Sequence, residues 1–242
     1  KENHLMADLL TLNTHAGRNR LFFLLLLGGL YLPSFFLNSF FISIFIIHSF
    51  FTKNFQAHFT KFLRPLLFLF IGYFLWCAVS LVYTQNIPVG ISHLQTKLGF
   101  LLLPIGIIGS GIHTSARYRQ LVMNVFVGLS VIVAIAALIN AGITSIEAGS
   151  LYKVANDDGT IVKQYYFTYT HLAFFIMHPA YFSLYIGAAI FTGLYLVVNK
   201  TSLIKSAWLQ IVIIGFLFIF LILLQGRISI LALLAMLFIG VL

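Results

Sequence analysis

A chain of 242 residues that is 61% hydrophobic and only 8% charged, with a mean hydropathy of +1.04, is not a soluble globular domain, in which about a quarter of the residues are charged. The composition instead predicts an all-α, polytopic integral membrane protein. The formal net charge of +9 would suggest nucleic acid in a soluble chain, but here the basic residues sit in short clusters between apolar runs, where they act as topology signals.

In chain order the apolar runs are 21–32, 35–51, 65–83, 98–112, 121–143, 179–198, 208–224 and 228 to the end. Dense aliphatic and Phe content without period-two alternation predicts helices and not barrel strands. Read as one helix, residues 21–51 would extend about 46 Å against a bilayer core of about 30 Å. Pro33-Ser34 and Asn38-Ser39 interrupt that stretch, so a hairpin of two short helices is expected. The last run would extend about 22 Å before the sequence stops. Together with a first residue that is Lys1 and not Met, this reads as the N-terminal part of a longer protein, a single transmembrane helical domain over 1–242 with an extracytoplasmic loop at 144–178.

Parity supports about eight transmembrane or half-membrane segments. With the hairpin, Arg18 and Arg20, then Lys53, Lys61 and Arg64, then Arg117 and Arg119, then Lys200 and Lys205 fall on one side, which the positive-inside rule makes cytoplasmic together with the N-terminus. Lys97, Lys153, Lys163 and Arg227 remain outside. The first run is followed by Pro, Ser and aromatic residues and not by a small-x-small cleavage site, so a signal peptide is not expected. Residues 85–97 mix Gln85, Asn86, His93, Gln95 and Lys97 with aliphatics, as in an interfacial or re-entrant segment. In the 144–178 loop, Asn156-Asp157-Asp158-Gly159 between two mixed runs predicts a small β-hairpin. Tyr165, Tyr166, Phe167 and Tyr169 beyond it suit the headgroup level.

The chemistry available is narrow. The only cysteine, Cys77, lies in an apolar run, which removes disulfides and Cys-based metal sites. Glu2, Asp8, Glu147, Asp157 and Asp158 are the only acids, and all lie outside the apolar runs, which counts against proton relays and cation-coupled pumps. No metal site and no cofactor is expected. Asp157-Asp158 reads as a turn, Gly106, Gly109 and Gly111 as close helix packing, and Asn199-Lys200-Thr201 as a chance match to a glycosylation acceptor.

Arg227 is the sharpest feature. It interrupts two long apolar runs in Leu224-Gln225-Gly226-Arg227-Ile228, where a guanidinium suits a phosphate or diphosphate headgroup because it is always charged and binds oxygens two at a time. An interfacial anchor snorkelling to lipid phosphate is the alternative. His178, directly before Pro179, is placed to cap a helix or to touch a polar headgroup. His93 and Lys97, four apart, share a helix face and offer a positive site to an anion, or are simply solvated.

Three segments together resemble the bacterial O-antigen ligase family, which includes related polymerases and protein-glycosylating ligases. They are the region leading to Lys97-Leu98-Gly99-Phe100-Leu101-Leu102-Leu103-Pro104, the entry His178-Pro179-Ala180-Tyr181-Phe182-Ser183, and the hinge Leu223-Leu224-Gln225-Gly226-Arg227. The resemblance covers roughly residue 65 to the end and rests on short motifs in a shared order. It implies a GT-C-like glycosyltransferase of the bacterial inner membrane that moves a glycan from undecaprenyl diphosphate to an acceptor on the periplasmic face, such as lipid A core, another glycan or a protein, without metal. It assigns donor diphosphate binding to Arg227 and places an acceptor-activating histidine beyond residue 242. The family usually has Ser or Thr before its arginine, where this chain has Gly226.

Under that resemblance Arg227, Lys97, His178 and His93 are the substrate-binding candidates, with membrane lipid and no nucleic acid as partner. An O-antigen polymerase of the same family is an alternative. A transporter or lipid flippase is another, although the apolar runs contain no buried acids, no basic residues and no paired broken helices of the transporter kind. A non-catalytic membrane assembly subunit is a third.

Overall fold

The structure, a computed structural model, describes residues 14–31, 35–52, 63–157, 160–173 and 178–241. Glu2, Asp8, Pro33, Ser34, Lys53, Lys61, Asp158, Gly159 and Met177 lie outside the described residues. The chain is mostly helical. Its elements are α1 (His15–Gly29), α2 (Phe35–Phe50), α3 (Leu63–Val79), α4 (Ile87–Gly109), α5 (Ala116–Glu147), β1 (Tyr152–Asp157), β2 (Thr160–Tyr165), α6 (Tyr169–Ala173), α7 (Pro179–Val198), α8 (Ala207–Leu223) and α9 (Arg227–Val241). Three of these, α4, α5 and α7, are long and apolar enough to cross a membrane, and four shorter apolar helices cover 39–50, 67–83, 207–223 and 227–239. The chain divides into two compact units, residues 1–30 with 34–119, and residues 31–33 with 120–242.

In the first unit, the run that was too long for one span is indeed two helices, α1 packed on α2. Thr14 caps α1, its hydroxyl accepting from the Gly17 amide at 3.1 Å. The hairpin is closed by a polar network inside an otherwise apolar contact. Asn19 is wholly buried, donates to Thr52 Oγ1 at 2.6 Å and meets His48 Nδ1 with its carbonyl oxygen, so the cost of burying its amide is offset at both ends. Phe45 is likewise wholly buried. Gly106 of α4 lets that ring approach, since a Cβ there would lie 3.3 Å from Phe45 Cε1.

The expected boundary at residue 97 is corrected by α4. Residues 85–97 are not a separate interfacial segment; from Ile87 they run without a break into the apolar stretch as one 23-residue helix. Asn86 caps it by accepting from the Val89 amide at 3.3 Å, and Pro88 stands in the first turn, where a missing N–H leaves nothing unbonded. Between Gly90 and Gly99 no residue opposes helix, and His93, Gln95, Thr96 and Lys97 are polar without being breakers. Polarity marked a change of environment, not a change of backbone.

The second unit builds its core where α7 packs on α8 and α9. Phe182, Ile186, Ala189, Leu217, Leu221 and Leu224 are fully enclosed, and the Phe182 and Phe220 rings meet edge to face at 5.4 Å. Such a pair adds about 0.5–1.5 kcal/mol beyond its buried area. The hairpin expected around residues 156–159 is present, with β1 and β2 antiparallel in the register Tyr152↔Tyr165 to Asp157↔Thr160. The aromatic group after it does not form one surface. Tyr166 turns inward against the His171 ring at 5.4 Å, while Tyr165 and Tyr169 stay exposed.

Candidate functional site

The hinge and the entry that the sequence singled out meet in one cavity of the second unit, about 450 Å³ in volume, whose lining includes Tyr169, Pro179, Ala180, Ser183, Gln225, Gly226, Arg227 and Ser229. Two helices begin there. Pro179 opens α7, and Arg227 is the first residue of α9. The first-turn amides of a helix have no intrahelical acceptor, and each helix N-terminus carries about half a positive charge. The Arg227 guanidinium adds an always-present positive charge at the start of α9, while α7 keeps no open first-turn amide: Pro179 has none, Ala180 donates to His178 Nδ1, and Tyr181 and Phe182 donate to the His178 carbonyl. Among the described residues no ion pair engages Arg227, which is exposed.

The hinge geometry follows from Gln225. After α8 the chain turns through Gln225 in the left-handed region, φ +52°, and the Gln225 carbonyl accepts from the Arg227 amide at 2.9 Å. The Gly226 carbonyl then takes the Ile230 amide at 2.9 Å, so Gly226 is the cap of α9. Glycine has no side chain with which to cap, and the first-turn amides of Ile228 and Ser229 are left to whatever enters the cavity. A Cβ on Gly226 would come within 2.6 Å of Ser183 Oγ. This close approach is the physical reason why glycine stands at this position. Tyr169, the other lining residue with φ > 0, sits at +47°. Non-glycine residues in that region cost about 1–3 kcal/mol and cluster at functional sites.

Beneath the hinge, Ser183 and Ser229 are 1% and 2% exposed with their hydroxyls 2.6 Å apart. Ser183 Oγ donates to the Ala180 carbonyl at 2.9 Å, so the proton between the two hydroxyls comes from Ser229. Both hydroxyl protons are thereby spent, and the pair pins α7 to α9 instead of offering donors to a ligand. The donors left among the lining residues are the Arg227 guanidinium, the Gln225 side-chain amide, the Tyr169 hydroxyl and the backbone amides of Ile228 and Ser229.

The remaining candidates are placed differently. His178 is the N-cap of α7, its Nδ1 accepting from the Ala180 amide at 3.3 Å and its ring standing edge-on to Tyr181 at 6.0 Å. It is exposed and acts on the cavity by setting the start of α7. His93 and Lys97 belong to the first unit and line another cavity, about 290 Å³, with Cys77, Ser80, Thr84 and Asn86. There Lys97 Nζ donates to Cys77 Sγ at 3.5 Å and lies 5.9 Å from the Tyr73 ring centroid. The four-residue spacing thus puts both side chains on one wall, with the ammonium turned toward α3.

Sequence reasoning missed Tyr169, Ser183 and Ser229. The one available signal was a serine in the first two turns of each of two apolar helices, where small polar residues allow close helix contact. Among the described residues no three His, Cys, Asp or Glu side chains group to hold a metal. Comparison with family models, curated proteins and solved structures finds no match.

Proposed function

We propose that this chain is the donor-binding part of a membrane glycosyltransferase of the O-antigen ligase kind, which moves a glycan from undecaprenyl diphosphate to an acceptor hydroxyl at the periplasmic face of the inner membrane. The carrying observation is the convergence of Arg227 and two helix N-termini, those of α7 and α9, on one cavity whose lining also holds apolar side chains, the hydroxyls of Tyr169, Ser183 and Ser229, and the Gln225 amide. With the N-terminus cytoplasmic and eight membrane segments, that cavity faces outward. Acceptors in the resembling family are lipid A core, a growing glycan or a protein, so ligase and polymerase share this donor chemistry.

The reaction is a displacement at the anomeric carbon. The acceptor oxygen forms the new glycosidic bond, the bond to the diphosphate oxygen breaks with its electron pair, and negative charge grows on the leaving group. Arg227 and the open amides of α9 stabilise that charge where it appears, which lowers the barrier without prior acid catalysis. The acceptor proton must go to a base, and no histidine or carboxylate is among the described residues lining the cavity.

Residues 1–242 alone are expected to be inactive, so transfer by the full-length protein from a synthetic undecaprenyl-diphosphate glycan, at matched membrane levels, tests the reading. Arg227→Ala should lower the rate about a hundred- to a thousandfold, the effect of losing one preorganised donor worth about 2.7–4 kcal/mol. Arg227→Lys should rescue poorly, because an ammonium restores charge but not the two-point fork. An interfacial anchor would accept lysine almost fully. Near-normal transfer by both variants would remove the assignment.

A further inference from the structure

A second cavity of the same unit, about 340 Å³, lies between α5, α7, α8 and the linker that joins α7 to α8, and its walls are Val127, Val131, Leu196, Val197, Ile213 and Ile214 with Gly128 and Gly193. Its polar residues are Asn124, Ser202 and Gln210, and each is already engaged. Asn124 donates to the Thr201 carbonyl at 3.3 Å and accepts from the Leu203 amide at 2.9 Å. Gln210 Nε2 donates to the Ile204 carbonyl, and Ser202 Oγ accepts from the Ile204 amide at 3.2 Å. These bonds clamp the linker and leave the Ser202 hydroxyl proton and Gln210 Oε1 as the groups without a partner among the described residues, within aliphatic walls. The volume is at the small end of ligand cavities.

The charge at this end has one sign. The linker reads Asn199-Lys200-Thr201-Ser202-Leu203-Ile204-Lys205-Ser206, with two lysines and no acid. Lys200 is exposed and closes α7 in the left-handed region, φ +54°, and Trp208 just beyond is 74% exposed. Lysines and an exposed tryptophan at the end of apolar helices mark headgroup depth. From Ser183 in the Arg227 cavity to Val197 here is fourteen residues along α7, about 21 Å, so the two cavities occupy opposite ends of one helix.

We infer that this cavity is a lipid site that takes one fatty-acyl chain of an anionic glycerophospholipid, whose phosphate lies at the linker beside Lys200. An interior walled mainly by aliphatic side chains selects a hydrocarbon chain, and Lys200 selects the headgroup. The site is separate from the donor diphosphate site and does not depend on the function proposed for it.

Purified protein in nanodiscs or detergent tests this by native mass spectrometry, with phosphatidylglycerol and phosphatidylcholine of identical chains as probes. The wild-type protein should retain phosphatidylglycerol at least tenfold better. Gly128→Leu should fill the cavity and cut retention of both lipids at least tenfold, and it should fold, because a Cβ at Gly128 meets nothing within 4 Å. Lys200→Asn suits the left-handed backbone and should erase the preference between headgroups while chain binding persists. Equal retention of the two lipids by the wild-type protein would overturn the inference, as would unchanged retention in Gly128→Leu or a change of oligomeric state in that variant without loss of lipid.

Discussion

Two cavities in this chain each hold a basic side chain that the sequence marked, and they differ in what that side chain is left to do. Lys97 is half-buried in the middle of α4, with a thiol at 3.5 Å and an aromatic face at 5.9 Å. Its ammonium is turned onto these two groups within the unit. Arg227 is exposed at the first position of a helix whose cap is a glycine, between two residues' worth of unbonded amides and the start of a second helix. The difference teaches that surroundings decide whether a positive charge is turned onto groups of its own fold or left open. Position at a helix start and the lack of a side-chain cap separate the two, although both residues are equally conspicuous as cations between apolar runs.

The comparison is broken most directly on a diphosphate-lipid binding assay. Arg227→Ala should weaken binding by about a hundredfold or more, as loss of a charge-assisted two-point contact would. Lys97→Ala should change it less than about threefold. A larger effect at Lys97 than at Arg227 would reverse the assignment of the two cavities.

A smaller effect sharpens the role of the glycine. Gly226→Ala should lower stability by about 1–3 kcal/mol through overpacking, since its Cβ would press on Ser183 at 2.6 Å. Adding Ser183→Gly should recover much of that loss, with a coupling above about 0.5 kcal/mol in a double-mutant cycle of thermal or denaturant unfolding. Simple additivity would mean that the close approach is not what requires glycine.

Weaker again is Lys97→Met, which keeps the side chain's length and removes its charge. The expected cost is about 0.5–1 kcal/mol, the worth of a partly solvated cation near a ring. A loss several times larger would show the ammonium holding more than Tyr73 and Cys77.

The smallest change is expected at the hinge. Gln225→Gly relieves a left-handed glutamine, φ +52°, and should stabilise the fold by up to about 1 kcal/mol after the entropy that glycine adds to the unfolded chain. If the strain holds the cavity open, transfer should fall while the melting temperature rises. Parallel movement of the two would assign the strain no role in the site.

Composition alone determined that this chain is mostly helical and bears helices fit for a membrane, because in hydrocarbon a backbone must satisfy its own hydrogen bonds and a run of aliphatic residues can do so only as a helix or a closed barrel. The break between α1 and α2, the β-hairpin of residues 152–165 and the start of α7 at Pro179 were equally legible, since Pro, Asn-Asp-Asp-Gly and apolar run length act locally on φ and ψ. The continuity of α4 was not, because polar residues at 93–97 announce surroundings and are mute about backbone. Nor was the Arg227 cavity as a structure. Ser183 and Ser229 lie 46 residues apart, and neither has a local reason to be paired with the other. Only the packing of α7 on α9 brings their hydroxyls together, forbids a Cβ at Gly226 and aims two helix starts at one space.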